Sequence, residues 1–270
     1  MTVRTFEVVA SRAKAMTSHS SMAAASAELP GGVYTTFRTY GGRRVLRLPQ
    51  HVRRLEESSA LLGRPGQLDS QAVCAALREV LDVAGHAESR FRLTFAFPRL
   101  FVAVEAFSPL PAALYEQGAA CVTVPVHREN PRSKDTRFIA TASHAYEHLP
   151  PGAEEGLMVA EDGALLEGLS SNFFAVKDEV LHTDEGRVLL GVTRSLVLEA
   201  AAAVLPVART PVRLDELERV RECFITSVSR EVLPVVRIDD HRIGGGRPGP
   251  KTRAIVAAFA SLVEREAEVV

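Results

Sequence analysis

Lysine is scarce in this chain, which narrows the search for an amine nucleophile. Of the 32 lysine and arginine residues, four are lysines: Lys14, Lys134, Lys177 and Lys251. An arginine guanidinium stays protonated at neutral pH, so an enzyme that forms an imine with a carbonyl compound must use one of these four amines. Lys177 lies in a predicted Lys-Asp-Glu turn and is expected to be solvated. Lys134 follows a predicted strand in a loop that leads into a helix, although a single lysine usually is a solvated surface charge.

Two further segments contain residues suited to binding an anion or a ring nitrogen. In segment 167–174, Glu-Gly-Leu-Ser-Ser-Asn-Phe-Phe, a carboxylate ends a predicted strand and can turn inward against a ligand; it also suits an ordinary turn capped by Asn172. In segment 190–194, Leu-Gly-Val-Thr-Arg, a glycine precedes a helix with one apolar face. Free N–H groups at a helix start bind phosphate, although Thr193 equally suits a simple N-cap.

The elements that must position these residues mix strands and helices. Segment 32–40 alternates in strand fashion and ends at Gly41-Gly42, a hairpin signal, before a return strand. Helices are predicted over 51–63 and 69–84, since their apolar positions share one face and Gly63 and Asp69 suit helix ends. The other predicted elements are a hairpin over 90–106, strands at 121–127, 156–160, 164–167, 173–176, 180–183, 222–226 and 232–238, and helices at 138–148, 193–205, 215–219 and 251–266.

The order of these elements predicts the domain organisation. Strands and helices alternate without a strict β-α-β repeat, which favours a mixed α/β (α+β) fold. The proline-rich segment 108–112 is a candidate boundary. We therefore expect an N-terminal α/β lobe over residues 1–110 and a C-terminal lobe over 115–270, the latter carrying Lys134 and most of the predicted site.

Composition excludes several classes of protein. The 270 residues are 46% hydrophobic and 24% charged with a formal net charge of −1, which disfavours a nucleic-acid or membrane-surface protein. No apolar run is long enough to span a bilayer. Cys74, Cys121 and Cys223 are scattered and lack metal-ligand spacing, so we expect reduced thiols and no metal. The N-terminus lacks an apolar signal segment, and we expect a cytoplasmic protein.

In chain order, these segments resemble the fold-type IV pyridoxal-phosphate enzymes, the family of branched-chain and D-amino-acid aminotransferases and aminodeoxychorismate lyase. Segment 33–40 is similar to the first strand of the family, and His51-Val-Arg-Arg-Leu55 to its H-x-x-R-L helix. The remaining similar segments, in family order and at near-family spacing, are Lys134, 167–174, 191–194, 226–235 and 246–250. The resemblance covers nearly the whole chain and implies two lobes with pyridoxal 5'-phosphate between them, and a homodimer.

The resemblance implies a role for each matched residue. Lys134 would be the catalytic Schiff-base lysine and the proton shuttle, and Glu167 would keep the pyridine nitrogen protonated, so that the ring acts as an electron sink. Arg54 would grip the phosphate. The cofactor-binding set would be Arg54, Glu167, Val192, Thr193, Ser227 and Val228, and the substrate-facing set Tyr34, Arg99 and Ser229.

Several positions depart from the family pattern. Asp135 follows the lysine, and Ile139 stands where branched-chain enzymes carry a tyrosine, so Arg128 or His127 is a candidate to replace that tyrosine's contact with the cofactor. The 97–99 loop is short, and Val228 replaces a threonine. The candidates to grip a substrate carboxylate are Tyr34, Arg38, Arg99 and Arg128, and those for an apolar side-chain pocket are Phe37, Phe97 and Ile139.

The expected function is a pyridoxal-phosphate-dependent transaminase that moves an amino group between an amino acid or amine and a 2-keto acid. An alternative is 4-amino-4-deoxychorismate lyase, which shares the cofactor site. An alternative of another class is a catalytically inactive, cofactor-binding homologue, which the presence of Lys134, Glu167 and Arg54 disfavours. The expected partners are small molecules, with no nucleic acid and no membrane.

Overall fold

The structure, a computed structural model, describes residues 2–270, and the chain forms two compact units. Unit 1 comprises the residues up to Ser108 together with Arg132–Ala140 and Glu266–Val270. Unit 2 comprises Pro109–Pro131 and Thr141–Arg265. Lys134 therefore belongs to unit 1 and not, as expected from the sequence, to the C-terminal lobe. Lys134 falls in unit 1 because its segment is hydrogen-bonded to a strand of that unit.

Unit 1 is an antiparallel sheet with helices. Its elements are β1 (Val3–Val9), β2 (Arg12–His19), α1 (Met22–Glu28), β3 (Val33–Tyr40), β4 (Arg44–Leu46), α2 (Leu48–Leu61), α3 (Ser70–Ala84), β5 (Ser89–Ala96) and β6 (Arg99–Ala106). The last strand of the chain, Ala267–Val269, completes a seven-stranded sheet beside β4. From that edge the order is β4, β3, β5, β6, β1 and β2, and every neighbouring pair is antiparallel.

Helix ends in unit 1 follow local sequence signals. Asp69 caps α3, since its carboxylate accepts the N–H groups of Gln71 and Ala72 at 2.8 and 3.2 Å. Gly85 ends α3 in the left-handed conformation, with φ of 64°. Helix α2 begins at Leu48, three residues earlier than predicted, because the proline next to Leu48 suits a first helical turn.

Strand alternation divides β3 between a core face and a polar face. Val33 and Phe37 point into the core of unit 1, where α2 and α3 contribute Leu55 and Leu77. Phe37 stacks on Phe91 of β5 at 5.3 Å between ring centroids. The prediction that Phe37 lines a substrate pocket is therefore wrong, because its side chain lies on the core face.

Unit 2 contains a nine-stranded sheet. Its elements are α4 (Ala112–Gln117), β7 (Ala119–Val124), α5 (Arg137–Glu147, whose first turn lies in unit 1), β8 (Ala153–Val159), β9 (Leu165–Gly168), β10 (Asn172–Lys177), β11 (Val180–His182), α6 (Val192–Ala201), β12 (Val207–Ala208), a 3-10 helix (Leu214–Arg219), β13 (Val220–Ser227), β14 (Glu231–Ile238), β15 (His241–Arg242) and α7 (Pro250–Glu266). The Ala267–Val269 strand is β16. The mixed α/β composition expected from the sequence is confirmed.

Six strands of unit 2 close into a ring. Their order is β10, β13, β14, β7, β8 and β9, and β9 returns to β10 through the pairing of Glu167 with Asn172. The interior is apolar and includes Phe173, Ile225 and both buried cysteines of this unit, Cys121 and Cys223. Burial raises the pKa of the Cys223 thiol, with Cys121 and Glu222 adding to the shift. The thiols are therefore packing groups in their reduced form.

The glycine-rich segment before α7 has a structural role. Glu222 of β13 accepts the N–H groups of Lys251 and Thr252 at 3.1 and 2.6 Å, so its carboxylate caps the helix. A Cβ at Gly249 would lie 2.0 Å from the Glu222 carboxyl carbon, which explains the glycine. No helix within residues 2–270 is long and apolar enough to cross a membrane.

Candidate functional site

Lys134 is held against β3 by main-chain hydrogen bonds. Its carbonyl accepts the Tyr34 N–H at 2.8 Å, and the neighbouring Asp135 forms an antiparallel bridge with Val33. The Lys134 N–H donates to Ser58 Oγ of α2 at 3.2 Å. The backbone of this lysine is therefore held by a strand and a helix, which fixes the position from which its side chain extends.

The other three lysines are either exposed or bound in ion pairs. Lys251 pairs with Glu179 at 3.2 Å, and Lys14 is exposed on β2. The prediction that Lys177 is solvated is wrong. Its side chain is only 12% exposed, and its Nζ lies 2.5 Å from the carboxylate of Glu216 in the 3-10 helix. The ion pairs of Lys177 and Lys251 account for these two side chains without a chemical role.

The Lys134 amine lies over the polar face of β3. Its Nζ is 4.7 Å from the centroid of the Tyr34 ring. The guanidinium of Arg92, on the neighbouring strand β5, lies 5.0 Å from the same centroid. Thr94 is paired directly across from Tyr34, and its buried hydroxyl has no hydrogen-bond partner. This face therefore offers cations and a hydroxyl with unused hydrogen-bonding capacity.

Three other predicted substrate contacts differ in their exposure and partners. Phe97 is 47% exposed on the β5–β6 hairpin, and Ile139 is half-buried on α5. Arg99 is exposed at the surface and donates to Glu7 of β1 at 2.7 Å, so its placement gives no support for a substrate role. Arg38 remains on the polar face, between the rings of Tyr40 and Phe107 at 3.9 and 4.6 Å.

Arg54 of α2 reaches the core face of β3 at Thr35. Its Nη2 donates to Thr35 Oγ1, which lies 2.7 Å from His51 Nδ1. Because Thr35 accepts from Arg54, its own proton points to His51, whose Nδ1 is then the acceptor. Burial holds the pKa of His51 well below its ordinary value, and Arg54 and Lys134 lower it further, so His51 is neutral.

The guanidinium of Arg54 has capacity for a further acceptor. Its Nε is buried and has no hydrogen-bond partner. Burial lowers the pKa of this group to about 10, against the opposing effect of Tyr34 and Glu57. A guanidinium with that pKa is still a cation at neutral pH, and Thr35 and His51 fix where it points.

Within unit 2, Glu167 is a buried carboxylate near the end of β9, and both of its oxygens accept hydrogen bonds. Its exposure is 3%, and its Oε1 accepts from Arg128 Nε at 3.0 Å. Its Oε2 accepts from the Leu189 N–H at 3.0 Å and from Asn172 Nδ2 at 3.2 Å. Arg128, predicted as a candidate contact for the cofactor's phenolic oxygen, instead stabilises the negative charge of Glu167 here.

Asn172 joins Glu167 to the start of α6. Its Nδ2 also donates to the Leu189 carbonyl at 2.8 Å, and a Cβ at Gly191 would lie 2.6 Å from its Oδ1. The helix begins at Val192, three residues after Leu189, whose N–H donates to Glu167, and no side chain caps its first N–H groups. Val192 and Thr193, two predicted phosphate contacts, are the first residues of this helix.

The third predicted segment of unit 2 is the turn between β13 and β14. Ser227 pairs with Glu231 across the hairpin, so Val228 and Ser229 lie in the turn itself. Thr226 is paired with Asn172 on β10, and its buried hydroxyl has no hydrogen-bond partner. The turn, the start of α6 and Glu167 are thus linked through Asn172.

Sequence reasoning missed three polar residues of these clusters. Thr35, Asn172 and Thr226 each occupy a buried strand position, with exposures of 0, 6 and 2%. The available signal was a small polar side chain at a position that the strand pattern assigns to the interior, since buried polar groups must find partners. Within residues 2–270, no group of three or more His, Cys, Asp or Glu side chains is arranged to hold a metal ion.

Comparisons with known proteins identify relatives of this chain. The curated branched-chain-amino-acid aminotransferase of Pseudomonas aeruginosa is 28% identical over 262 residues, covering 88% of this chain and 85% of that protein. The D-alanine aminotransferase of Bacillus licheniformis is 28% identical over 252 residues, covering 87% and 88%. The solved T.th. branched-chain amino acid aminotransferase with pyridoxamine 5'-phosphate has the same fold, with a TM-score of 0.80, 23% identity and coverage of 97% and 94%.

The family match extends over most of the chain. The family described as amino-transferase class IV matches residues 32–238, a range that begins just before β3 and ends with β14. It includes every matched segment from Tyr34 to Ser229, so the family predicted from the sequence is confirmed. The chain belongs to the class IV aminotransferases.

Proposed function

We propose that this protein is a pyridoxal 5'-phosphate-dependent transaminase that moves an amino group between an amino acid or amine and a 2-keto acid, with Lys134 as the lysine that binds the cofactor. Lys134 itself carries the proposal. All four lysines lie within residues 2–270, and only Lys134 is hydrogen-bonded to β3 and α2 with its amine over an aromatic ring. As the family implies, we extend the proposal to a homodimeric, cytoplasmic enzyme with small-molecule partners.

The donor groups present suit the phosphate of this cofactor. Arg54 Nε and Thr226 Oγ1 are buried without a hydrogen-bond partner, and the first N–H groups of α6 have no side-chain cap. Buried donors are almost always satisfied in native proteins, so Arg54 in unit 1, and Thr226 with the start of α6 in unit 2, each have hydrogen-bonding capacity that suits an anionic ligand. In our proposal Arg54, Val192, Thr193, Ser227 and Val228 hold the phosphate.

Glu167 and Lys134 have the chemical roles. When bound, the cofactor supplies an electron sink for the substrate's α-carbon. Glu167 would keep the pyridine nitrogen protonated, and its hydrogen bonds with Arg128 and Asn172 orient the carboxylate for that task. Lys134 would hold the cofactor covalently and, once the substrate's amine has displaced it, would carry a proton as the general base and acid.

The polar face of β3 and β5 favours a substrate with a carboxylate. The guanidinium groups of Arg38 and Arg92 and the hydroxyls of Tyr34 and Thr94 belong to this face, and Lys134 lies over it. Arg92 Nε and Thr94 Oγ1 are buried without a hydrogen-bond partner. We therefore propose an amino-acid donor whose carboxylate meets this face; Ser229 remains a further candidate contact.

Replacing Arg54 by alanine is expected to weaken cofactor binding more than it lowers turnover at saturating cofactor. Losing one charge-assisted hydrogen bond to phosphate costs about 1.5 to 3 kcal/mol, or about 10- to 150-fold in the dissociation constant. The measurement is a cofactor titration of the apoprotein followed by absorbance. The exposed neighbour Arg53, on the same helix, provides the control Arg53→Ala, which should bind as wild type. Equal affinity in Arg54→Ala and Arg53→Ala would remove Arg54 from the site.

The two half-reactions test the proposed function. An amino donor alone should bleach the yellow absorption of the cofactor-loaded protein, and a 2-keto acid should restore it, because a transaminase stores the amino group between its two substrates. A panel of L-amino acids, D-amino acids and amines then identifies the donor class. If none bleaches the protein and aminodeoxychorismate yields p-aminobenzoate and pyruvate, the protein is a lyase. If neither occurs, the inactive-homologue alternative stands.

A further inference from the structure

We propose that Arg230 is a positioning residue, which fixes the turn between β13 and β14 by binding the buried carboxylate of Glu155. This inference rests on the proposed function, which assigns Ser227 and Val228 of that turn to the cofactor's phosphate. Neither Arg230 nor Glu155 is a predicted contact of the cofactor or of the substrate. Their role follows from a hydrogen-bond network in unit 2.

Glu155 of β8 is the centre of the network. Its exposure is 0%, and its carboxylate accepts from Tyr146 Oη at 2.5 Å and from Ser171 Oγ at 2.8 Å. Ser170 Oγ donates to it at 3.2 Å. Burying a carboxylate costs free energy unless donors and a cation surround it, so the network depends on its cation.

Arg230 supplies that cation from the turn. Its Nη1 lies 3.4 Å from Glu155 Oε2 and donates to Ser170 Oγ at 2.9 Å. Its Nη2 donates to the Glu154 carbonyl at 3.1 Å. The side chain is 16% exposed, so the ion pair is largely screened from solvent and is stronger than a surface pair.

The main chain of Arg230 is anchored as well. Its N–H donates to Ser227 Oγ at 3.2 Å, and its carbonyl accepts from Tyr115 Oη at 3.1 Å. Glu231, the next residue, has a φ of 51°, a left-handed conformation that costs energy for a residue with a side chain. A tight turn of this kind keeps one shape only when its surroundings hold it there, and the Arg230 side chain provides three such contacts.

The network also reaches the segment that follows Glu167. Ser170 and Ser171 form the turn between β9, which ends just after Glu167, and β10, which begins at Asn172. One ion pair therefore connects the turn behind the predicted pyridine contact with the turn that carries the predicted phosphate contacts. Loosening Arg230 should displace the phosphate contacts, while the reacting groups Lys134 and Glu167 remain present.

The test compares Arg230→Met, Arg230→Lys and the control Arg219→Met, which removes a surface ion pair with Asp178. We expect Arg230→Met to raise the cofactor's dissociation constant about tenfold or more, to shift the ³¹P resonance of the bound phosphate, and to raise the KM of the amino donor more than it lowers kcat. Arg230→Lys should recover part of each effect, since it restores the charge. Arg219→Met should change none of them.

A purely structural role would give a different result. In that case Arg230→Met would lower the melting temperature of the apoprotein and leave the dissociation constant, the ³¹P shift and KM as in wild type, which would overturn the inference. If Arg230→Met does not fold, Ser170→Ala removes the hydrogen bond between Ser170 Oγ and Arg230 Nη1 instead. This variant is expected to raise the cofactor's dissociation constant about threefold. An unchanged dissociation constant overturns the inference. If the wild-type protein itself binds no cofactor, the proposed function fails first.

Discussion

Replacing Lys134 by alanine is expected to lower turnover by about 10²- to 10⁴-fold, the contribution of a positioned proton-transfer group. The cause is the loss of the one lysine amine, among the four, that lies over the polar face of β3, with its Nζ 4.7 Å from the Tyr34 ring centroid. Lys134→Arg should be equally impaired, because a guanidinium keeps the positive charge but neither attacks a carbonyl nor releases its proton. Steady-state turnover at saturating cofactor and donor measures both variants.

The other lysines provide matched controls for this experiment. Lys177→Ala removes an ion pair with Glu216, and Lys251→Ala removes one with Glu179. Both changes delete the same functional group as Lys134→Ala, at sites that we assign to stability. Each should keep turnover within about twofold of wild type, a change of about 0.4 kcal/mol. Loss of turnover in one of them, with Lys134→Ala active, would reassign the nucleophile.

Glu167→Gln is expected to lower turnover by about 30- to 1,000-fold, which corresponds to about 2 to 4 kcal/mol in the barrier. An amide has nearly the shape of the carboxylate and can keep hydrogen bonds to the Leu189 N–H and to Asn172. It carries no negative charge, however, and so cannot hold the pyridine nitrogen protonated. Cofactor affinity should change much less than turnover, because the phosphate contacts are untouched.

Stability must be measured alongside, since Glu167→Gln deprives Arg128 of its carboxylate partner, and both side chains are less than 10% exposed. Breaking one half of a buried ion pair can cost about 3 to 5 kcal/mol of folding free energy. Glu161 is exposed and lines the same cavity as Glu167. The variant Glu161→Gln therefore serves as a control with the same change of charge. If Glu167→Gln turns over like Glu161→Gln while folded and loaded, Glu167 is only a turn residue.

Local signals in the sequence were enough to predict most helices and hairpins. Asp69 and Gly85 bound α3 as their residue types suggest, because capping is decided by a side chain and its nearest N–H groups. Strand β3 was predicted over 32–40, one residue longer than the 33–40 that it occupies. By contrast, β2 and α1 were not predicted, since β2 is an exposed edge strand and its residues lack an alternating apolar pattern.

The site was harder to predict, because it depends on contacts between distant segments. Alternation along β3 leaves open which face meets the helices, and Phe37 was assigned to the wrong one. The Glu216 partner of Lys177 and the Glu7 partner of Arg99 come from elements far away in the chain. Such partners follow from the tertiary fold and have no local signal in the sequence.

The same reason explains why no role was predicted for Asn172 beyond the alternative of capping an ordinary turn. Its importance comes from the closure of the six-stranded ring, which brings it opposite both Glu167 and Thr226. In contrast, the order of the family-like segments along the chain did indicate which distant residues belong together. It joined Arg54, Lys134, Glu167 and Thr193 in one hypothesis before any fold was known, and the family is confirmed by the match over residues 32–238.

The most direct test of the central claim is to identify the residue that binds the cofactor. The protein is loaded with pyridoxal 5'-phosphate, reduced with borohydride so that the bond to the cofactor becomes permanent, digested, and mapped by mass spectrometry. We predict a single modified peptide carrying the added mass on Lys134, and loss of that peptide when excess amino donor is added before reduction. Modification of Lys14, Lys177 or Lys251 instead, or no modified peptide, would contradict the account.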